Sequence, residues 1–441
     1  MTNREDMVVD SKALTNVHSI FLAAIIVIAV VVGGVGYILF SGEEQGDTIK
    51  IGFIGDIDNL AGGASWKAAI LAAEQVNAEG GVLGRHFEII AEDDDSQSGT
   101  DMAIATNAIN RLLTVDNVDF VICHTGVAGL LYQEKTSQFK KILFGSFVSA
   151  AENLTRRVDE DYENYKYYFG AGLNFTMTMQ ANLQSVLDCR EYTGFNKIAL
   201  VGQGPTGGSW IPFMEQSLIG YGFEVVHVTN IPMDAVEFSS YFAAAEAAGA
   251  EIMYPLIIGQ AGIPFVKEYH TRQSPMVLWG MISMAQQSNS WELTEGKCEY
   301  TSNAGYPIVA GYPITNKTLA TRDAYSERWG EEIMSYSSKT YDIVRFILPD
   351  AIRRAGTTES EAVVEALEST DIETSSARHF ILTANHDILV PSAIHEYSQE
   401  DYLIICVFQW QDGVQVPVFP KGLMEEAEVT YAFPSWSGPW D

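Results

Sequence analysis

The sequence predicts an α/β protein built from two doubly wound, parallel-sheet lobes joined by a hinge, with a transmembrane helix at its N-terminus. Three features support this prediction: a strand–helix–strand unit within residues 51–95, a second series of strands and helices from residue 196, and an uncharged stretch over residues 20–40. Parallel neighbouring strands require a crossover, usually a helix, so regular alternation of the two elements favours doubly wound sheets.

The composition excludes several classes of protein. The 441 residues suffice for two domains, and 47% apolar with 19% charged residues is typical of a globular chain. The net charge is −31, from 57 acidic and 26 basic residues. We therefore expect no nucleic-acid partner, because phosphate binding requires clustered Lys and Arg. The four cysteines are too widely spaced for a metal motif, and no metal or cofactor is predicted. A disulfide between Cys189 and Cys298 is allowed outside the cell.

The N-terminus predicts a retained membrane anchor. A polar segment of residues 1–19 precedes an uncharged run that begins at Ile20 and ends at Phe40. At about 1.5 Å per residue this run spans roughly 30 Å as a helix, whereas a secretory signal core has about 7–15 residues. Arg4 and Lys12 before the run, and acidic residues after it, favour a cytoplasmic N-terminus. We expect a single-pass protein of the cell membrane whose large domain is extracellular.

The sequence also contains a candidate N-terminal cleavage site and candidate glycosylation sites. Lys12-Ala13 is similar to a prepilin-type processing site, and cleavage there would leave the apolar helix on the mature protein. Residues 41–47 form a polar linker to the large domain. The candidate glycosylation sites of an extracellular domain are the sequons at Asn153, Asn174 and Asn316.

The first lobe opens with a complete βαβ unit. Residues 51–55 are predicted as a strand, 56–63 as a polar loop, 66–77 as a helix and 86–91 as the second strand. Two glycines at 80–81 end the helix, because glycine readily adopts the left-handed conformation of a C-terminal cap. The alternation continues with helices at 100–113 and 127–139 and strands at 118–123 and 142–145.

The second lobe has the same order of elements. The predicted strands lie at 196–202, 224–228, 251–256 and 276–279, and the helices at 210–220, 239–248 and 262–271. A glycine-rich loop at 203–209 follows the first of these strands. It lacks the Lys-Ser/Thr pair of a nucleotide-binding loop, and Pro205 removes a backbone donor, so nucleotide binding is not expected.

The last part of the chain returns to the first lobe. Helices are predicted at 318–334, 339–355 and 358–368, and a late hairpin around Asp412-Gly413 belongs to the second lobe. Because the chain passes between the two lobes more than once, the connecting segments form a hinge, and a hinge permits the lobes to close on a ligand. The tail at 421–441 is Trp-rich and either packs on the body or contacts a partner. The predicted lobes are 48–170 with 307–395, and 171–306 with 396–420.

Three motifs resemble one known family. They are N-A-E-G-G-V-L-G at 77–84 followed by a strand and paired aspartates, K-T-Y-D-I-V at 339–344, and F-I-L-T-A-N-H-D at 380–387. Their order and spacing over residues 48–420 resemble those of the branched-chain amino-acid-binding proteins, type I periplasmic binding proteins that feed ABC importers. The resemblance implies two lobes that close on a small-molecule ligand and an ABC permease as the membrane partner.

We expect the ligand between the lobes, at the carboxyl ends of strands and at helix N-termini. Hydroxyls and backbone N–H groups there suit a ligand carboxylate, although ordinary helix capping is an equal alternative. Asp56 or Asp58 is a candidate for binding a cationic ligand group, with a solvated loop acid as the alternative. The candidates on the first lobe are Asp58, Thr125, Val127, Ala128, Ser146, Ser149 and Ala150.

Residues of the second lobe depart from the family pattern. The resemblance implies a tyrosine where Thr206-Gly207 stands, an aromatic residue at Ile258, and an acid at Ile282 that would bind an α-ammonium group. The pocket is therefore predicted to be more apolar than is usual for the family, or to take a ligand other than an amino acid. Thr206, Gly207, Ile258 and Ile282 are kept as ligand-binding candidates.

No catalytic pattern is recognisable. His124 has no evident Ser or Cys partner in the sequence, and the acidic run at 92–95 lacks the spaced ligands of a calcium loop. The predicted function is a non-enzymatic, extracellular solute-binding protein of an ABC importer that takes a small polar or amphipathic solute, an amino acid or a related compound. The alternative is a ligand-sensing or structural cell-surface ectodomain of the same fold, such as an array or filament subunit.

Overall fold

The computed structural model describes residues 48–95, 102–125, 128–148, 151–257, 261–390 and 405–436. The predicted anchor at residues 20–40 and its linker lie outside these ranges. Among the described residues, no helix is both long enough and apolar enough to cross a membrane.

Strands and helices alternate along most of the described chain. The strands are β1 (Ile49–Gly55), β2 (Phe87–Asp93), β3 (Phe120–Thr125), β4 (Ile142–Val148), β5 (Tyr168–Gly170), β6 (Lys197–Gln203), β7 (Glu224–Ile231), β8 (Ile252–Ile257), β9 (Val277–Ile282), β10 (Ser302–Gly305), β11 (Asp371–Ile372), β12 (Phe380–Ile381), β13 (Cys406–Gln411) and β14 (Val414–Phe419). The helices before the first crossing are α1 (Leu60–Ala78), α2 (Met102–Thr114), α3 (Gly129–Gln138), α4 (Ala151–Glu160) and α5 (Tyr162–Tyr165). Those that follow are α6 (Phe175–Thr193), α7 (Gly204–Gly220), α8 (Ser239–Ala247), α9 (Gly262–Arg272), α10 (Ser290–Thr294), α11 (Pro307–Ala310), α12 (Thr318–Trp329), α13 (Ser337–Asp342), α14 (Leu348–Ala355), α15 (Ser360–Glu368) and α16 (Lys421–Glu426).

The first sheet has five strands in the order β2-β1-β3-β4-β5, and all its pairings are parallel. Successive side chains of a strand point to opposite faces. Accordingly, Phe53 of β1 is buried in the core on one face, whereas Ile54 is buried in the core on the other. A parallel sheet covered on both faces is the predicted α/β arrangement, and the structure confirms it.

The second sheet has seven strands in the order β14-β13-β10-β9-β8-β6-β7. The strands from β7 to β10 pair in parallel, and β13 and β14 add an antiparallel edge. The predicted hairpin is confirmed, and both of its turn residues, Asp412 and Gly413, have positive φ angles of 50° and 83°. Asp and Gly tolerate that conformation in a two-residue turn.

Two described segments connect the sheets. Residues 171–174 lead from β5 into α6, whose Val186 lies in the same apolar core as Trp279 of β9. Tyr306 leads from β10 into α11, whose Ile308 lies in the same core as Phe53 of the first sheet. The predicted lobe boundaries remain a prediction, since the third connection falls within residues 391–404, outside the described ranges.

Two helices begin earlier than predicted, and glycines lie in the first turn of each. Helix α1 starts at Leu60 within the predicted polar loop, where the Asn59 side chain accepts from the Ala61 N–H at 3.1 Å. A side-chain Cβ at Gly62 would lie only 2.0 Å from the Asp56 carbonyl oxygen. Helix α7 starts at Gly204 within the predicted glycine-rich loop, and a Cβ at Gly207 would lie 2.6 Å from the Gly202 carbonyl carbon. In both places the helix start packs against backbone that only glycine can approach.

Other predicted features also changed. The helix predicted at 339–355 is divided into α13 and α14 by a π-helical turn, Ile343–Ile347. All four cysteines are buried and free, so Cys189 and Cys298 do not form a disulfide. The described part of the tail packs on the body: the indole N–H of Trp436 donates to the Ser274 carbonyl oxygen at 2.9 Å, and the Ala432 N–H donates to the Gln409 side chain at 2.8 Å.

Candidate functional site

The carboxyl edge of the first sheet brings β1 and β3 together at the point where the strand order reverses. Open α/β sheets bind ligands at such a switch point. Gly55, the last residue of β1, pairs with His124 of β3, and a Cβ at Gly55 would lie 2.4 Å from the His124 carbonyl oxygen. The two backbones thus approach as closely as glycine allows, which fixes His124 at the switch point.

His124 is held by two serines from different elements. Its Nδ1 lies 3.1 Å from Oγ of Ser65 in α1 and 3.5 Å from Oγ of Ser146 in β4, and Ser146 also donates to the Cys123 carbonyl oxygen at 3.2 Å. The register of β3 and β4 shifts here, so that His124 pairs with Phe147 and Ser146 is the extra residue. Such a bulge redirects a side chain and is common beside functional sites.

Burial sets the charge of His124. The side chain is 2% exposed, and burial lowers its pKa to about 4. The imidazole is therefore neutral at pH 7. Its Nε2 is buried and has no hydrogen-bond partner among the described residues. A buried polar atom without a partner is unfavourable, so this nitrogen is a candidate contact for a ligand.

Three rings surround this edge. The His124 ring stacks on Phe147 with a centroid distance of 5.4 Å, and it lies 5.4 Å from the ring of Tyr336, the residue before α13. Phe147 and Tyr336 also contact each other at 5.7 Å. Phe147 remains 46% exposed. We call His124, Phe147 and Tyr336 the aromatic group; it offers apolar surface beside a neutral imidazole nitrogen.

A buried lysine follows one helical turn after Tyr336. Lys339 in α13 is 2% exposed, and its ammonium nitrogen has no hydrogen-bond partner among the described residues. The nitrogen lies 4.4 Å from the centroid of the Tyr306 ring. Burial lowers the Lys339 pKa to about 7, although the nearby Asp342 charge acts in the opposite direction.

The predicted ligand-binding residues of the first lobe lie in different environments. Thr125 is the last residue of β3, and the Ser146 hydroxyl contacts Nδ1 of His124. Ala128 is buried and directly precedes α3. Asp58 is exposed on the turn before α1, as its solvated-loop alternative implies. The other three candidates, Val127, Ser149 and Ala150, lie outside the described residues.

The described candidates of the second lobe lie at a helix start and in an apolar core. Thr206 and Gly207 lie in the first turns of α7, where Gly207 packs against the backbone of β6. Ile282 is fully buried in an apolar core, and a Cβ at Gly262 would lie 2.8 Å from its Cγ2. Ile282 therefore lies in the core of the second lobe, and its contact with a ligand stays a prediction. Ile258 lies outside the described residues.

The three sequons differ in accessibility. Asn153 and Asn316 are exposed. Asn174 is 7% exposed, and both atoms of its amide are used: Oδ1 accepts from the Met177 N–H at 2.8 Å, and Nδ2 donates to Asp387 at 2.9 Å. A glycan needs an accessible amide nitrogen, and Asn174 is nearly buried, so the folded chain offers Asn153 and Asn316 but not Asn174.

Sequence reasoning missed four residues of the cluster: Ser65, Phe147, Tyr336 and Lys339. It found no serine partner for His124 because Ser65 is 59 positions away in the chain. The pair does not form a hydrolytic triad, since no described acid orients the other ring nitrogen. A signal for Lys339 was present, because a lysine stands inside one of the family-like motifs at 339–344.

Comparison with known proteins adds independent findings. A family model described as a periplasmic binding protein matches residues 48–400. The Leu/Ile/Val-binding protein homolog 7 of Brucella abortus (strain 2308) is 21% identical over 382 residues, covering 82% of this chain and 88% of that protein.

Solved structures share the fold. A putative branched-chain amino acid ABC transporter protein from Silicibacter pomeroyi superposes with a TM-score of 0.73 at 17% identity, covering 88% of this chain and 100% of its own. The branched-chain amino acid substrate-binding protein of Streptococcus pneumoniae, in complex with isoleucine, gives 0.63 at 16% identity, covering 84% and 100%. A solute-binding protein from R. palustris, in complex with benzoate, gives 0.63 at 14% identity, covering 84% and 95%.

Proposed function

This chain belongs to the periplasmic binding protein family, the solute-binding proteins of branched-chain amino-acid ABC transporters, and we propose that it captures a small polar or amphipathic solute for an ABC importer. The solute binds at the carboxyl edge of the first sheet and is enclosed when the two lobes close. The chain acts without covalent chemistry: its task is to desolvate and orient the solute.

The observation that carries this proposal is the arrangement around His124. A ligand pocket of this type combines apolar and aromatic walls with a few polar groups that fix orientation. The aromatic group supplies the walls, and the unpartnered Nε2 of His124 supplies a polar group at the switch point. The two crossings beside β5 and β10 are suited to a hinge.

The ligands of the structural relatives fit the same description. One relative is in complex with isoleucine and another with benzoate. Both compounds join a carboxylate to an apolar body, and they differ in whether that body is aliphatic or aromatic. We therefore propose an amino acid or a related small carboxylate as the solute.

We further propose that the apolar run from Ile20 to Phe40 anchors the protein in the cell membrane, with the large domain outside and an ABC permease as its partner. Protease treatment of intact cells tests this orientation. The large domain should be digested, and a chain lacking the apolar run should leave the membrane fraction. Retention of that shortened chain in the membrane would contradict the anchor.

A thermal-shift screen of the full chain tests solute capture. Leucine, isoleucine, valine, benzoate, amides, urea, short peptides and sugars are compared. A ligand present at about 100 times its Kd adds roughly 2.7 kcal/mol to the free energy of unfolding, which raises the Tm. A shift with at least one solute class supports capture. The absence of any shift would contradict it and favour the sensing or structural ectodomain.

A further inference from the structure

Lys339 is the most unusual charged residue of the described chain. Lysine is almost never fully buried without a partner, because moving an unpaired ammonium out of water is costly. Lys339 is 2% exposed and its nitrogen donates to no described acceptor. Its only described polar contact is with the face of the Tyr306 ring, at 4.4 Å from the centroid. A compensating anion would stabilise the charged form of such a buried amine.

Asp342, the acid whose charge acts on Lys339, does not form an ion pair with it. Asp342 lies three residues further along the chain and is itself buried. Its Oδ1 accepts from the Ser375 N–H at 3.0 Å and from the Ser375 hydroxyl at 2.6 Å, and its Oδ2 accepts from the Ser376 hydroxyl. The Asp342 carboxylate is thus committed to residues 375–376, and no hydrogen bond or ion pair joins it to Lys339.

The position of Lys339 connects it to the solute site. A Cβ at Gly172, in the first crossing between the sheets, would lie 4.0 Å from Cγ of Lys339 and 2.6 Å from the Ser146 carbonyl oxygen. Ser146 in turn contacts His124. Tyr306, whose ring faces the ammonium, lies in the second segment that connects the two sheets. The lysine therefore lies between both described crossings and beside the aromatic group.

We propose that Lys339 is the anion-binding group of the solute site, and that its ammonium pairs with a carboxylate of the solute while Phe147 and Tyr336 contact the solute's apolar body. This inference rests on the proposed solute capture and specifies its ligand class as a small monocarboxylate. A solute carboxylate satisfies the buried ammonium, and the pair links the first sheet's edge to both crossings of the hinge.

Paired probes test the inference on the full chain in detergent. Isothermal titration compares each carboxylate with its primary amide: benzoate with benzamide, isovalerate with isovaleramide, and isoleucine with isoleucinamide. The variants are Lys339→Met, which removes the charge at similar volume, and Lys339→Arg, which keeps it. Lys421→Met is the matched control, since Lys421 is an exposed lysine of α16. The Tm of each empty variant is also measured.

We expect at least one carboxylate to bind the unaltered chain about tenfold or more tightly than its amide, a difference of about 1.4 kcal/mol. Lys339→Met should abolish that preference, Lys339→Arg should retain part of it, and Lys421→Met should leave it unchanged. The empty Lys339→Met chain should melt at the same or a higher temperature, because a buried unpaired charge has been removed.

Distinct results would overturn the inference. Equal binding of carboxylates and amides, or a preference that survives Lys339→Met, would disprove it while leaving solute capture intact. A large loss of Tm in the empty Lys339→Met chain would show that the lysine is structural. If no probe binds the unaltered chain, solute capture itself fails, and the inference fails with it.

Discussion

The Ser65 hydroxyl oxygen lies 3.1 Å from Nδ1 of His124, and both side chains are buried. Ser65 comes from the first helix and His124 from the strand beside it, so the contact joins two elements at the switch point of the first sheet. It fixes the orientation of the imidazole and turns Nε2, the unpartnered nitrogen, away from the serines.

Loss of the Ser65 hydroxyl should destabilise the chain. Ser65→Ala leaves Nδ1 of His124 with Ser146 alone, at 3.5 Å, and removes a buried hydrogen bond. We expect a cost of about 1–3 kcal/mol in the free energy of unfolding, measured by denaturant titration. Ser240→Ala is the control, because Ser240 is exposed in α8, and we expect a change of less than about 0.5 kcal/mol there. Equal effects would contradict the structural role of the Ser65 contact.

His124 should make stability depend on pH. The ordinary histidine pKa is 6.5, and burial lowers that of His124 to about 4. Between these values the unfolded chain binds a proton that the folded chain does not. The stabilisation is therefore complete above pH 6.5 and decreases as the pH falls toward 4, by about 3 kcal/mol. His124→Gln should remove this slope from the denaturant titrations; a slope identical in both chains would contradict the assignment.

Asp387 should act in the opposite direction. Burial raises the pKa of its carboxyl group from 3.8 to about 6, although hydrogen bonds from Asn174 and the Ile388 N–H oppose the shift. The folded chain therefore binds a proton more readily than the unfolded chain, and stability should rise by about 3 kcal/mol as the pH falls from 6 toward 3.8.

The Asp387→Asn variant isolates this contribution. The substitution also removes an acceptor for Asn174, a loss that adds a pH-independent offset to the free energy of unfolding. As the pH falls from 6 to 4, the free energy of unfolding of the unaltered chain should therefore rise relative to that of Asp387→Asn. Parallel pH profiles would show that Asp387 does not titrate as expected.

Asn174 should be a structural residue and not a glycan acceptor. It caps α6 and binds Asp387, so Asn174→Ala should cost about 2 kcal/mol in the free energy of unfolding. Asn153→Ala is the matched control from another sequon, because Asn153 is exposed; its cost should stay within about 0.5 kcal/mol. Similar losses of Tm in the two variants would contradict this difference.

Gly62 and Gly220 provide a second matched pair. Gly62→Ala would place a methyl group 2.0 Å from the Asp56 carbonyl oxygen, whereas a Cβ at Gly220 meets no atom within 4 Å. We expect the first substitution to cost about 1–3 kcal/mol through backbone displacement. The second should gain about 0.5–1 kcal/mol, because alanine has less backbone freedom to lose on folding. Calorimetry should therefore show a lower Tm for Gly62→Ala and a higher Tm for Gly220→Ala than for the unaltered chain.

The fold was largely predictable because its signals are local. Apolar runs such as 51–55 and 251–256 mark strands of both sheets, and intervening helices mark parallel pairing. The helix starts at Leu60 and Gly204 were missed, since glycine-rich segments are typical of loops. Their helical conformation depends on close contact with a strand that sequence patterns do not show.

The site was predictable only in part. The edge that carries Ser146 was identified, because the carboxyl ends of parallel strands meet in any such sheet. Ile282 was selected from the family pattern, yet it is buried in the core. The lysine at 339 was noted only as part of a motif, since its burial depends on Tyr306 and Gly172, which arrive from two separate crossings.

The sequence by itself determined the order of strands and helices, the family and the edge where a ligand is expected, because these follow from local apolar patterns and motifs. Only the tertiary structure decided that Ser65 meets His124, that Asn174 and Ile282 are buried, and that the ammonium of Lys339 has no partner. These properties depend on which residues, distant in the chain, are buried against one another, and only the packing of the folded chain determines this.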